Sequence, residues 1–351
     1  MKVRALLDHF GDLATAWHAD AAELRQAGLD RRALASLLER RTHLDLDAEM
    51  GKLAEQNVAA LTWDDPGYPP RLLEIPDPPP VLYVRGQLTP EDDWAVAVVG
   101  TRRASAYGKT VTQRLVTDLA VNHVTIVSGL ARGIDGEAHR AALKAGGRTI
   151  AVLGCGLDLI YPPEHRNLAW EILQHGALVS EYPLGTQPEG GNFPPRNRII
   201  SGLSLGVLVV EAGTRSGALI SADFAADQGR DVFAVPGNLY ARSSEGTNRL
   251  IQDGAKLVIG AEDILEELNL TLVAQQIEVR TVAPESETEA LLLQYLSLEP
   301  LHVDEISQRA GLPIADVTSN LALMELKGLV RQVGGMNYVV MHEPRVAYRV
   351  E

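Results

Sequence analysis

The chain has 351 residues, 46% of them hydrophobic and 22% charged, so at about 100–200 residues per domain two or three folded domains are expected rather than disorder. One cysteine, Cys155, excludes a disulfide framework and a cysteine-cluster zinc site, and no run approaches the roughly 18 apolar residues of a membrane span. The net charge of -14 opposes general nucleic-acid binding, yet it is uneven: residues 1–93 hold 10 Lys and Arg against 17 Asp and Glu, residues 94–260 hold 16 against 14, and residues 261–351 hold 6 against 15.

The opening residues already carry Lys2, Arg4 and Asp8, which is unlike a signal peptide, and a cytoplasmic protein is expected. Residues 1–60 read as short helices. Leu6, Leu7 and Phe10, then Leu34, Leu37 and Leu38, recur at helical spacing, punctuated by Gly11 and Gly28. Prolines from Pro66 to Pro80 bar an interior helix or a central strand over 66–80. Residues 61–93 are therefore expected to be an ordered connector packed on the next domain, with Leu72, Leu73, Ile75, Val81, Leu82 and Tyr83 to bury.

From Trp94 the rhythm becomes strand, glycine turn, helix. Expected strands are 95–99, 124–128, 149–153, 177–180, 207–210, 232–235 and 256–259, short apolar runs suited to burial on both faces. Helical patterns over 133–144, 164–175 and 216–228 separate several of them. The alternation predicts an α/β fold with a Rossmann-like parallel sheet over 94–270, its ligand-facing loops on the rim at the strand C-termini. A polar linker is expected over 271–286. Residues 287–345 read as a winged helix: helices near 287–298, from Val303 and over 314–327, then a hairpin of 329–333 with 337–340 about Gly334-Gly335.

Several of the sheet's loops carry glycine beside a hydroxyl or an arginine. Gly100-Thr101-Arg102 follows the first strand, Ser128-Gly129 and Arg132 the second, and Thr214-Arg215-Ser216-Gly217 the fifth. Glycine before a helix start offers backbone N–H groups to an anion, and arginine adds a planar phosphate ligand. Gly108-Lys109-Thr110 is not a P-loop, because Arg103 stands where that motif needs glycine. Phe193-Pro194-Pro195-Arg196-Asn197-Arg198 starts a helix, with Phe193 available to stack a base and Arg196 and Arg198 to meet phosphate. At least one of these arginines is expected to pair instead with Glu181 or Glu211. Asp135 and His139, four residues apart, have no third metal ligand. Ser128, Ser201 and Ser216 have no His-Asp escort, and Cys155 reads as a small buried residue. No metal or cofactor is expected.

These strings resemble the DprA/Smf family of DNA-processing proteins. The resemblance runs in order over residues 60–260: Gly67-Tyr68-Pro69, Val99-Gly100-Thr101-Arg102, Ser128-Gly129-Leu130-Ala131-Arg132-Gly133-Ile134-Asp135, Phe193-Pro194 with Arg196-Asn197-Arg198, Val209-Val210-Glu211-Ala212, Ser216-Gly217, and Val235-Pro236-Gly237. It implies an extended Rossmann-like domain that binds single-stranded DNA and forms a homodimer. It also implies a small helical (SAM or helix-hairpin-helix-like) domain before it and a winged helix after it. Partners implied are single-stranded DNA, RecA recombinase and single-strand-binding protein, in natural transformation and recombination, without enzymatic turnover. Arg102 and the loops at Ser128-Gly129 and Ser216-Gly217 are the phosphate contacts it implies first, then Arg132, Arg196 and Arg198.

The N-terminus departs from the family. The Leu-Pro-Gly-Ile-Gly hairpin of many relatives is absent before Ala5–Phe10, so a reduced domain or a shortened start is expected, with no DNA role for 1–60. Residues 285–340 carry 8 acids against 3 bases, unlike a major-groove reader, and an accessory or protein-binding role is expected for them. The alternative reading is a Rossmann-like nucleotide-cleaving hydrolase using Glu211. A transcription regulator working through the winged helix is disfavoured by that domain's charge.

Overall fold

A computed structural model describes residues 2–270, 286–296, 301–326 and 329–340. The chain divides into two units, 1–268 and 269–351.

The first unit opens with five helices: α1 (Lys2–Phe10), α2 (Leu13–His18), α3 (Ala21–Gln26), α4 (Arg31–Arg41) and α5 (Leu46–Glu55). Asp12, Asp20, Asp30 and Asp45 cap α2 to α5, each carboxylate accepting from a free N–H of the first turn. Part of the acidity of this flank is thus helix-capping chemistry. Ala19, Leu24, Leu29 and Leu34 form its small core.

The proline stretch of 66–80 joins two strands that the sequence reading did not foresee. The preceding β1 (Val58–Thr62) and the following β2 (Val81–Gly86) pair antiparallel with each other, and β2 pairs antiparallel with β6 (Gly176–Ser180). Between them α6 (Pro70–Leu73) starts on proline, where the missing N–H costs nothing. Residues 58–86 therefore widen the main sheet through β1 and β2, and Tyr68, Leu72, Ile75 and Leu82 are buried in its core, the packing on the next domain that was expected of 61–93.

The rest of the sheet is parallel. Its strands are β3 (Ala95–Val99), β4 (Thr125–Ser128), β5 (Thr149–Leu153), β6, β7 (Gly206–Val209), β8 (Asp231–Ala234) and β9 (Lys256–Leu257). The order is β1-β2-β6-β5-β4-β3-β7-β8-β9. Helices α7 (Ala106–Val121), α8 (Ile134–Lys144) and α9 (Arg166–His175) pack on one face, α10 (Phe193–Gly202) and α11 (Gly217–Asp227) on the other. Alternation along each strand fills both cores: Ile150, Val152 and Val179 face α10, while Ala151, Leu153 and Leu178 face α9. The first unit ends with α12 (Glu245–Gln252) and α13 (Glu262–Glu267).

From β3 the chain winds outward through β4, β5 and β6, then returns to β7 and winds the other way. The loops after β3 and β7 leave in opposite directions. A crevice opens between them, the place where open α/β sheets hold ligands.

The second unit has helices α14 (Glu287–Tyr295), α15 (Val303–Ala310) and α16 (Ile314–Leu326). Gly311, at φ 65°, ends α15 in the left-handed conformation that glycine adopts without strain. Strands β11 (Val330–Gly334) and β12 (Asn337–Val340) form the wing, and β10 (Leu301–His302), a strand the sequence reading missed, completes a three-stranded sheet. Leu292, Ile306, Val317 and Leu321 are in its core. The expected linker over 271–285, the end of the first helix at 298, Lys327 and residues 341–345 lie outside the described residues.

Candidate nucleic-acid interface

A groove of about 870 Å³ occupies the crevice. Gly100, Thr101, Arg102 and Arg103 line it after β3, and Gly213 to Gly217 line it after β7. Phe193, Arg196 and Asn197 of α10, with Tyr161, Arg242 and Glu245, complete the wall.

The loops of the rim are cross-braced by backbone bonds. Thr101 N donates to Glu211 O at 2.7 Å, and Ile134 N donates to Thr101 O at 3.2 Å. A Cβ on Gly133 (φ +76°) would lie 2.2 Å from Thr101 O, so only glycine lets the loops after β3 and β4 close to this distance. Glu211 is 2% exposed, and its Oε2 accepts from Ser105 N at 2.9 Å. That carboxylate braces the start of α7, where Ser105 caps Gly108 N at 3.0 Å, and does not line the groove.

The arginines divide sharply. Arg196 is buried under the groove; Nη1 donates to the carbonyls of Gly129, at 2.8 Å, and Val152. Burial lowers its pKa to about 10, while the charge of Asp135 acts to keep the proton on. Asp135 is itself pushed up by burial, and its Oδ2 accepts from Gly129 N at 3.1 Å and Ala131 N at 3.4 Å. Arg198 turns away and grips Glu181 through two bonds of 2.7 and 2.8 Å, the pairing expected for one of the two arginines. Arg132 is exposed and bound to Glu164. Ser128 is fully buried, and its hydroxyl donates to Val98 O at 2.6 Å.

These placements correct the list of expected phosphate contacts. Ser128 and Arg198 are structural. Gly129 and Arg196 form the floor: Nη1 of Arg196 is taken up by two carbonyls, its Nε is buried without a partner, and a Cβ on Gly129 would collide with the guanidinium at 2.7 Å. Arg102, by contrast, is exposed and lies over the Phe193 ring at 5.5 Å, with Arg196 at 5.9 Å from the same ring. Phe193 also meets Tyr161 at 5.6 Å between ring centroids. Ser216 and Gly217 start α11, and a Cβ on Gly217 would meet nothing within 4 Å, so its backbone is open to an approaching group.

Sequence reasoning missed Arg103, Tyr161 and Arg242 as groove residues, and named Arg215 only as part of a loop. Arg215 stands in a loop already singled out for its glycines. Arg242 belongs to no motif and reaches the groove only through the packing of the loop after β8. Among the described residues, the side chains of Arg103, Arg215 and Arg242 have no hydrogen-bond or ion-pair partner.

The family model described as DNA recombination-mediator protein A matches residues 59–269, more than half of the chain. The chain belongs to the DprA/Smf family. A second model, the DprA winged helix domain, matches residues 278–336. Protein Smf of Synechocystis is 38% identical over 96% of this chain and 94% of its own length. Protein Smf of Escherichia coli is 44% identical over 91% and 87%. The X-ray structure of DNA processing protein A from Streptococcus pneumoniae superposes with a TM-score of 0.67 at 39% identity, covering 76% of this chain and 92% of that one. DNA processing protein A of Helicobacter pylori, whose structure concerns its single-stranded DNA binding mode, gives a TM-score of 0.54 at 34% identity, covering 62% and 96%.

Among the described residues, no three His, Cys, Asp or Glu side chains gather as a metal site. No helix there is long and apolar enough to cross a membrane.

Proposed function

We propose that this protein binds single-stranded DNA in the β3/β7 groove and acts as a recombination mediator in the cytoplasm. It protects an incoming strand during natural transformation and delivers it to RecA. Single-strand-binding protein is the competitor it must work against, and a homodimer through the Rossmann-like domain brings two grooves together.

The observation that carries this reading is the groove itself. Exposed, unpartnered guanidiniums face the open backbone at the start of α11, beside an aromatic ring. Arginine and backbone N–H groups hold phosphate without reading sequence, and Phe193 offers a face to any base. Arg102, Thr101, Ser216 and Gly217 are the phosphate contacts in this proposal. A duplex keeps its bases stacked inside and cannot give one to Phe193, so unpaired strands bind better.

The function is binding rather than turnover. The hydrolase alternative needs Glu211 beside a nucleotide, and that carboxylate is buried and bonded to Ser105 N. Helix α16 contains no Lys or Arg and exposes Asp316 and Glu325, which supports an accessory role for the winged helix rather than duplex reading.

Fluorescence anisotropy of labelled oligo-dT and of a matched duplex, over a salt series, tests the proposal. The expected result is strand-selective binding that weakens steeply with salt and again in Arg102→Ala. Equal affinity for strand and duplex, or hydrolysis of a free nucleotide lost in Glu211→Gln, would overturn it.

A further inference from the structure

The loop from Asn238 to Ser243, between β8 and α12, contains the most exposed large apolar side chains of the described residues. Tyr240 is 96% exposed and Leu239 80%. An aromatic ring left in water forgoes a large burial gain, so full exposure on an ordered loop asks for a reason. The loop is ordered by its own bonds. Tyr240 N donates to Asn238 Oδ1 at 2.8 Å and Ala241 N to Asn238 O at 3.0 Å. Asn248 clamps its base, accepting from Gly237 N at 3.0 Å and donating to Gly237 O at 3.1 Å. Tyr107 OH donates to Pro236 O at 2.8 Å and fastens the same base to α7.

Two residues beyond Tyr240, Arg242 faces the groove from this loop. Its carbonyl closes on Gly213, where a Cβ would lie 3.0 Å away, so the loop after β8 is seated on the loop after β7. Exposed guanidiniums thus line the groove from three loops: Arg102 and Arg103 after β3, Arg215 before α11, Arg242 after β8. Glu245 is the exposed carboxylate among them, outnumbered by the four arginines. Arg102 has an aromatic ring, Phe193, beside the cation. Arg242 has Tyr240 two residues before it on the same ordered loop.

We propose that Arg242 and Tyr240 form a second strand-binding subsite, in which the guanidinium takes a backbone phosphate and the Tyr240 ring stacks a base further along the same strand. The inference rests on the reading of the groove as a single-strand site and extends its length. Stacking on an exposed ring is tolerant of base identity, so the subsite adds affinity without adding sequence preference.

The test measures affinity against oligo-dT length at fixed salt for the full chain and for Tyr240→Ala, Arg242→Ala and Arg102→Ala. For long strands, Tyr240→Ala and Arg242→Ala each weaken binding about 5-fold, within the range for loss of one stacked base or one phosphate contact. For the shortest strands that bind, they leave affinity unchanged, whereas Arg102→Ala weakens binding at every length. Tyr240→Trp keeps the affinity and adds tryptophan emission that a long strand quenches. Unchanged affinity of Tyr240→Ala and Arg242→Ala at all lengths, with Arg102→Ala still weakened, overturns the subsite alone. No effect of any of the three overturns the groove reading with it. A loss equal at all lengths would make the loop part of the first subsite and overturn the second.

Discussion

The floor and the rim of the groove use the same residue to opposite ends. Below the surface, Arg196 is buried and saturates the carbonyls of Gly129 and Val152, and Arg198 is locked onto Glu181. At the surface, Arg102, Arg215 and Arg242 stand in water, and among the described residues Arg215 and Arg242 hold no partner. Burying a guanidinium is costly, so the buried ones are tied to carbonyls or a carboxylate, although Nε of Arg196 is left without a partner. An exposed one keeps its donors for a ligand. The partners an arginine finds therefore separate those that build the groove from those left open to a ligand.

Substitutions can break or sharpen that contrast. The largest effect belongs to the floor. Arg196→Met leaves two buried carbonyls and the Asp135 charge uncompensated, and urea denaturation should show a loss of about 3 kcal/mol. A loss under about 0.5 kcal/mol would move Arg196 to the rim class.

His139 tests the floor by pH. Thr149 Oγ1 gives its proton to Ile126 O at 2.7 Å, so His139 Nδ1 must donate to Thr149 Oγ1 across their 2.7 Å contact. Nε2 is then buried without a partner. Burial first, then the charges of His165, Arg140 and Arg196, push the pKa down to about 3. A depressed folded pKa means stability is full above the unfolded value, about 6.5, and falls as pH drops from there toward 3. At pH 5 the loss is about 2 kcal/mol, read as the difference in urea stability between pH 7.5 and pH 5. His139→Gln should flatten that difference; an equally steep profile in the variant would remove His139 as its source.

On the rim the effects shift from stability to affinity. Arg102→Ala should leave the unfolding midpoint nearly unchanged and weaken oligo-dT binding about 10-fold, or about 1.4 kcal/mol, with a salt slope shallower by about 0.7. A destabilised fold with unchanged affinity would reverse its class. The smallest effect is expected at Gly217→Ala. Its Cβ enters open space, so thermal stability should hold, while crowding of the backbone lowers strand affinity about 3-fold, or about 0.7 kcal/mol. Gly133→Ala, at φ +76° and against Thr101 O, is the opposing control and should destabilise the fold.

The sequence by itself determined the parallel strands within a residue or two, because short apolar runs between glycine loops leave few alternatives. It determined the helix starts at Pro194-Pro195 and Ser216 through proline geometry and helical patterning, and it carried the family resemblance. In residues 58–86 it gave the packing on the core but not the strands β1 and β2. Pairing of β1 with β2 and of β2 with β6 is a long-range fact, and a proline-rich stretch between two strands looks locally like a linker. The same limit applies to the site. Side-chain type and spacing identify an arginine, but whether its five donors meet carbonyls, a carboxylate or water depends on what the fold brings beside it. Only the tertiary structure sent Arg196 under the groove and Arg198 to Glu181, and brought Arg242, from a loop with no motif, into the groove wall.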